Sequence, residues 1–230
     1  GSEMCIRDSC TSNDAHFKVA MAAVEAGKPF NLEKPITLTA EEADILAKAA
    51  QEKNVKNMVC FSYRFKAAAR YAKDLIAQGK IGRVYHVNMQ YFQAWGLPRA
   101  NCPLVWRYVK SRTGTGALGD LGSHALDLVR FVTNKEYTRV VGHTGTYVHE
   151  RPLLDGKGVG KVDVDDFSNY MADMEDEISV SFQITRFAYG RGNYQRMEIY
   201  GSEGAIVYSL DATPAGICLL YTSPSPRDTR

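Results

Sequence analysis

Lys34, Asp120 and His124 are the residues of this chain whose type and setting could do acid–base chemistry. Lys34 follows a brief apolar stretch, Pro29 to Leu32, that reads as a strand. A residue in that place lies in the crevice at the carboxyl ends of a parallel sheet, where such sheets hold ligands. Pro35 stiffens the turn and restricts Lys34 to an extended backbone. Asp120 and His124 lie one turn apart in a segment whose apolar positions, Leu118, Leu121, Ala125, Leu128, Val129 and Val132, mark the opposite face of a helix. Both polar side chains should therefore project the same way. The preceding Thr113-Gly114-Thr115-Gly116-Ala117 suits a backbone that approaches something closely. A histidine there can exchange a proton near neutral pH, a carboxylate one turn earlier can orient it or hold a hydroxyl, and a lysine can stabilise a developing alkoxide. Taken singly, each feature has a plainer reading. Lys34 could be a solvated loop lysine, and Asp120 with His124 a surface ion pair or half of a metal site. No third ligand stands at suitable spacing, so no metal is assigned.

The elements that must position these residues fall into two kinds. Phe17, Ala20, Met21 and Val24 recur at helical spacing from Asp14 until Gly27, which suits a C-terminal cap. Thr39 opens a second helix with Glu42 completing a capping box. Asn57 to Phe61 reads as another strand. Helix, strand, helix, strand is the rhythm of a parallel α/β sheet. After a third helix over about Lys66 to Gln78 the pattern changes. Arg83 to Trp95 alternates apolar and polar residues, as a half-solvated antiparallel strand does. Helical text returns only around Leu118 to Val132. Thr138 to Glu150, Asp165 to Met174, Glu177 to Arg186, Tyr194 to Tyr200 and Ala205 to Tyr208 then read as strands. The glycine-rich Asp155 to Gly160 lacks the strand-to-helix context of a phosphate cradle and is read as a turn. The fold class is therefore α/β: a remnant of a parallel sheet followed by an α+β part with a large, mainly antiparallel open sheet.

Bulk properties bound the function. The 230 residues are 45% hydrophobic, enough for one large or two modest cores. Lys+Arg 28 against Asp+Glu 26 gives a formal charge of +2, with the basic residues scattered, so nothing points to nucleic acid or to an anionic membrane. No apolar run is long enough to cross a bilayer. The five cysteines, Cys5, Cys10, Cys60, Cys102 and Cys218, form no CxxC pair and no even framework. Reduced thiols in a cytoplasmic compartment are the default, and an export signal would have to lie ahead of the first residue.

The ends read differently from the rest. Cys218-Leu219-Leu220-Tyr221-Thr222-Ser223 can be encoded by TGT CTC TTA TAC ACA TCT, whose reverse complement in a shifted frame encodes Met4-Cys5-Ile6-Arg7-Asp8. One inverted DNA repeat, resembling a sequencing-library transposon adapter, accounts for both. The alternative is a disordered tail at each terminus. Either way residues 1–9 and 218–230 are set aside as tails.

Thr11-Ser12-Asn13-Asp14-Ala15-His16, Glu33-Lys34-Pro35, Tyr63-Arg64-Phe65 and Gly116-Ala117-Leu118-Gly119-Asp120-Leu121-Gly122-Ser123-His124 occur in the order and spacing of the Gfo/Idh/MocA family, which this chain resembles over nearly all of residues 10–210. The resemblance implies a partial Rossmann dinucleotide-binding domain over 10–62 and a substrate and oligomerisation domain over 63–217. It implies a dehydrogenase site between them, in which Lys34 hydrogen-bonds the reacting hydroxyl, His124 accepts its proton and Asp120 positions substrate and base. Asn13, Glu33 and His16 would lie by the nicotinamide end of NAD or NADP, with Trp106 and Arg107 beside cofactor or substrate. Tyr63 and Arg64, with Trp95, Tyr189 and Tyr194, could line a sugar or polyol pocket, although aromatic residues are also ordinary core material. The phosphate-binding glycine turn of such a domain is not in this sequence, so the chain is expected to be an N-terminally truncated fragment, inactive alone, with an open sheet edge. A homo-oligomer of the full-length protein is a further expectation by resemblance. Alternatives are a glycosidase that oxidises transiently, another carbonyl reductase of the family, or a non-catalytic ligand-binding or assembly protein.

Overall fold

The computed structural model describes residues 7–9, 11–211 and 216–222, so Cys5, Cys10 and most of both tails lie outside the described residues. Strands β1 (Arg7–Ser9), β2 (Phe30–Leu32) and β3 (Asn57–Val59) pair in parallel in that order. Helices α1 (Asn13–Glu25) and α2 (Ala40–Glu52) connect them. Ala20, Ala23, Val24, Phe30, Leu32, Leu46, Ala50 and Val55 close this small core. Thr39 Oγ1 accepts from the Glu42 amide at 3.2 Å as expected, but Glu42 Oε2 reaches back to the Leu38 amide at 3.2 Å, so the reciprocal arm of the capping box lands one residue early.

A 3₁₀ turn over Ser62–Phe65 leads to α3 (Ala67–Ala77) and the long strand β4 (Val84–Phe92). The short helix α4 (Lys110–Thr113), a π-helical turn over Leu118–Gly122 and α5 (Ser123–Thr133) follow. Where one continuous helix was expected, the segment begins as this wider turn. Gly119 is needed there, since a Cβ on it would run into Thr115 Oγ1. A π-turn inserts an extra residue into the helical ladder and is frequent at functional sites.

The remaining strands are β5 (Tyr137–Gly145), β6 (Glu150–Pro152), β7 (Val159–Lys161), β8 (Phe167–Met174), β9 (Ser179–Thr185), β10 (Tyr194–Gly201), β11 (Ala205–Ser209) and β12 (Ile217–Tyr221). The large sheet has seven strands in the order β12-β11-β10-β4-β9-β8-β5. All its neighbours run antiparallel except β4 and β9, which are parallel. Helices α3 and α5 cover one face, packing Ala69, Ala72, Leu128, Val129 and Val132 against Val87, Met89, Val180, Phe182, Met197 and Ile199. Several expected strands are shorter than the alternation suggested: the Arg83 to Trp95 run ends at Phe92, and the Glu177 to Arg186 run is cut to Ser179–Thr185. The Thr138 to Glu150 run breaks after Gly145, and β6 and β7 form a separate hairpin whose connection spans residues 153–158, so Val159 and Gly160 of the expected turn are strand residues. The Asp165 to Met174 run begins only at Phe167, because the Asp165 carboxylate instead accepts from the amides of Gly116 at 2.6 Å and Leu118 at 2.7 Å.

The described parts of the set-aside tails occupy sheet edges: β1 pairs with β2, and β12, which includes Cys218 to Tyr221, pairs with β11. An open edge offers unpaired N–H and C=O groups to any short extended stretch beside it. Among the described residues no helix is long and apolar enough to cross a membrane, and Cys60, Cys102 and Cys218 form no disulfide bond with one another.

Candidate active site

The site forms where two parallel strand pairs point their carboxyl ends at each other. Lys34 follows β2 and Phe61 to Tyr63 follow β3, while Gln93 to Gly96 follow β4 and Arg186 follows β9. Between them lies the π-turn with Asp120, and His124 at the start of α5. The turn is anchored from below by Asp165, and Gly116 permits this: a Cβ there would collide with the Asp165 carbonyl.

Lys34 Nζ donates to the Asp120 backbone carbonyl at 2.6 Å and to Asp120 Oδ1 at 2.8 Å. Arg186 Nη2 donates to the other carboxylate oxygen, Oδ2, at 3.1 Å, and Arg107 Nε stands 4.0 Å from it. Burial alone would raise the Asp120 pKa, but Lys34, Arg186 and Arg107 outweigh it and hold the carboxyl at about 2. Asp120 is thus fully ionised, clasped by cations.

His124 is differently placed. Its ring meets Tyr63 edge-on at 4.7 Å, with Phe61 at 6.0 Å and Tyr91 at 6.3 Å. Nδ1 is buried with no hydrogen-bond partner. Burial pushes the imidazole pKa down to about 3, the Lys34 charge adds to this, and Asp120 opposes it only in part. Each Asp120 carboxylate oxygen is held by a cation, Oδ1 by Lys34 and Oδ2 by Arg186, while its charge still acts on the nearby imidazole.

The residues sort into two cavities that share Lys34, Arg107 and Asp120. One, of ≈ 470 Å³, is lined by Thr11, Ser12, Asn13, Glu33, Pro35, Trp106 and Thr113 besides those three. The other, of ≈ 460 Å³, is lined by His124 with Tyr91, Gln93, Trp95, Cys102 and Val105. In the first, Asn13 is buried and donates to the Thr113 carbonyl at 3.0 Å. His16 lines neither cavity; it is fully buried and braces the loop through Pro35 O at 2.8 Å and Thr11 O at 3.2 Å. The Arg107 guanidinium lies over the Trp106 ring at 4.4 Å.

Of the two residues expected against substrate, Tyr63 does not line the second cavity but backs Tyr91, which does, their hydroxyls 2.6 Å apart. Arg64 does not join. Its guanidinium forks onto Asp127 of α5, with Nε to Oδ2 at 2.7 Å, and lies over Phe61 and Phe131. Asp127 is buried, so its charge needs this partner.

Apart from Trp95, which the sequence offered as a pocket residue, several side chains at the site were not singled out from the sequence. Asn193 Oδ1 accepts from Tyr91 at 2.7 Å and from Gln93 at 2.9 Å, and Trp95 Nε1 donates to Gln93 Oε1 at 2.5 Å. Burial, then Tyr63, pushes the Tyr91 phenol far up, so it stays a donor. Tyr91, Gln93 and Trp95 sit at alternate positions running off β4, a pattern that sheet periodicity could have flagged. Arg186 and Asp165 had none, since each meets its partner only through tertiary packing. Among the described residues, no group of His, Cys, Asp and Glu is arranged to hold a metal ion.

Residues 69–207 match the family model described as GFO/IDH/MocA C-terminal domain. Residues 8–61 match the one described as oxidoreductase family, NAD-binding Rossmann fold. A levoglucosan dehydrogenase of Pseudarthrobacter phenanthrenivorans is 38% identical over 216 residues, covering 89% of this chain and 55% of that protein. An inositol 2-dehydrogenase of Rhizobium meliloti is 29% identical, covering 86% of this chain and 54% of its own length. The solved structure of a levoglucosan dehydrogenase in complex with NADH and levoglucosan superposes with a TM-score of 0.87 at 37% identity, covering 96% of this chain and 58% of that one. The chain spans about half the length of the curated relatives it matches.

Proposed function

Since the chain belongs to the GFO/IDH/MocA oxidoreductase family, we propose that it carries the proton-handling side of a dehydrogenase that moves hydride between NAD or NADP and a hydroxyl carbon of a sugar or polyol. One observation carries this reading: Lys34 stands on the wall shared by the two cavities, and His124 faces the second of them without a hydrogen-bonding partner.

The first cavity fits the nicotinamide end of the cofactor. Asn13, Glu33, Trp106 and Arg107 offer amide, carboxylate, indole and guanidinium groups on one surface. When bound, the cofactor supplies the hydride acceptor. The chain's own residues handle the proton. Lys34 has an ammonium hydrogen left over after its bonds to Asp120, and donating it to the reacting oxygen stabilises alkoxide character. His124 is neutral at any working pH and takes the hydroxyl proton. A carbinol gives up hydride readily only if its hydroxyl proton leaves in step, so in this reading the O–H proton passes to His124 as hydride leaves the carbon, with the Lys34 ammonium holding the developing alkoxide. The Tyr91 hydroxyl, the Gln93 and Asn193 carboxamides and the Trp95 indole give the second cavity the donors, acceptors and ring face a polyhydroxylated substrate needs.

In this reading residues 10–62 form the cofactor side and 63–217 the substrate side. The outer face of the large sheet, where Val141 and Met171 are paired and exposed, is the surface we assign to self-association in the whole protein, which we place in the cytoplasm. The test fuses this chain behind the N-terminal segment of the Pseudarthrobacter levoglucosan dehydrogenase and assays NAD(P)H formation with levoglucosan, inositols and other neutral polyols. Turnover that His124→Ala abolishes is expected. A folded fusion that binds NADH yet oxidises none of them refutes the proposal.

A further inference from the structure

Arg186 is fully buried, far from Asp120 in sequence, and reaches the site from the interior. Its place is built from several sides. Its amide donates to the Asp166 carbonyl at 3.2 Å, and its carbonyl accepts from the Gly96 amide at 3.0 Å. Gly96 presses close enough that a Cβ there would stand 2.9 Å from Arg186 Cβ. The guanidinium lies under the Trp95 ring at 4.7 Å, and Trp95 lines the cavity that holds His124. Nε and Nη1 make no hydrogen bond, so Asp120 Oδ2 is the acceptor this guanidinium bonds, while the buried Asp166 carboxylate feels its charge from the other side. A buried guanidinium that satisfied only itself would be poorly placed here.

We propose that Arg186 is a positioning residue that fixes the direction of the Asp120 carboxylate, taking Oδ2 from within the core so that Asp120 is committed to Lys34 and turned away from His124. The consequence is a division of labour. Asp120 serves as counter-ion to the lysine, and His124 meets the substrate as a free, neutral acceptor. Without Arg186, Oδ2 keeps only Arg107 at 4.0 Å, a half-exposed side chain that makes no hydrogen bond to it. The carboxylate can then turn toward the imidazole one helical turn on. The charged and titratable groups facing this pair are Lys34 after β2, Tyr63 after β3, Tyr91 on β4, Arg107 before α4, and Arg186 itself. The inference concerns the free protein, and it stands or falls independently of which reaction the site performs.

The test is the NMR titration of the His124 imidazole between pH 5 and 8 in the full chain, unmodified and as Arg186→Met, Arg186→Lys, Asp120→Asn and the double variant Arg186→Met/Asp120→Asn. In the unmodified chain the imidazole stays neutral across this range. In Arg186→Met its pKa should rise by two units or more, from about 3 into the scanned range. Arg186→Lys, which keeps the charge, should return most of the way. In the double variant the imidazole should again stay neutral, because no carboxylate remains to reach it. That last arm separates positioning through Asp120 from a general loosening that lets water in, which would raise the pKa with or without a carboxylate. An unchanged titration in folded Arg186→Met, or an equal rise in the double variant, overturns the proposal. Should Arg186→Met fail to fold, Arg186→Lys is compared with Arg186→Lys/Asp120→Asn on the same terms, and no difference between those two overturns it equally.

Discussion

Substituting His124 by Gln should make the protein less sensitive to acid, by an amount that follows from the burial of the ring. The imidazole moves from an ordinary 6.5 down to about 3 on folding, chiefly because burial disfavours its charged form. The unfolded chain therefore binds a proton that the folded chain refuses, and stability is lost as the pH falls from about 6.5 toward 3. At pH 7 this costs only a few tenths of a kcal/mol. At pH 5 the unfolded histidine is almost fully protonated and the folded one is not, for a penalty of about 2 kcal/mol, taking 1.36 kcal/mol per pH unit. Glutamine has a polar group of similar reach and no titration, so the penalty disappears from the variant. The intrinsic effect of the substitution cancels if the pH dependence alone is compared. Urea unfolding of both proteins at pH 7, 6 and 5 gives that comparison directly. The unmodified chain should lose about 2 kcal/mol more than His124→Gln between pH 7 and pH 5. Curves of stability against pH that run parallel within about 0.5 kcal/mol would mean that the folded imidazole titrates like a free one, and the argument for a neutral, unpartnered base would fail.

Asp120→Ala should destabilise the fold by about 3–5 kcal/mol in urea, since it strands the buried Arg186 and leaves Lys34 without its counter-ion. Arg64→Met should cost a similar ~3 kcal/mol through the uncompensated Asp127 carboxylate, while the Trp fluorescence response to bound polyol in the fusion protein stays unchanged; a weakened response would return Arg64 to the substrate. Gly116→Ala should lower stability by about 3 kcal/mol, because the added carbon meets the Asp165 backbone rather than a side chain that can swing away; a thermal midpoint equal to that of the unmodified chain would show that the turn is less tightly held than this.

Much of the fold was legible from periodicity. Helices α1, α2 and α3 and strands β2 to β4 fall where apolar spacing and capping residues put them, because these elements are set by neighbours a few positions away. The misreadings are of one kind. The run through Gly145 was read as unbroken strand, and Asp165 as a strand residue, because alternation does not reveal that a carboxylate will cap a distant glycine turn. The π-turn was likewise hidden, since its residues have helical spacing and only Thr115 and Asp165 decide that the turn widens at Gly119.

The site divides along the same line. Lys34 and His124 could be named from their neighbours, because a lysine at the end of a buried strand and a histidine on a half-apolar helix face carry their setting in the local chain. What the sequence by itself determined is therefore the set of candidate groups and the elements that present them. What only the tertiary structure decided is their partnership. Asp120 pairs with Lys34 and Arg186, and Arg64 with Asp127 of α5. A buried charge is satisfied by whichever opposite charge the packing brings within hydrogen-bonding distance, and that choice is made across elements that chain order does not place side by side.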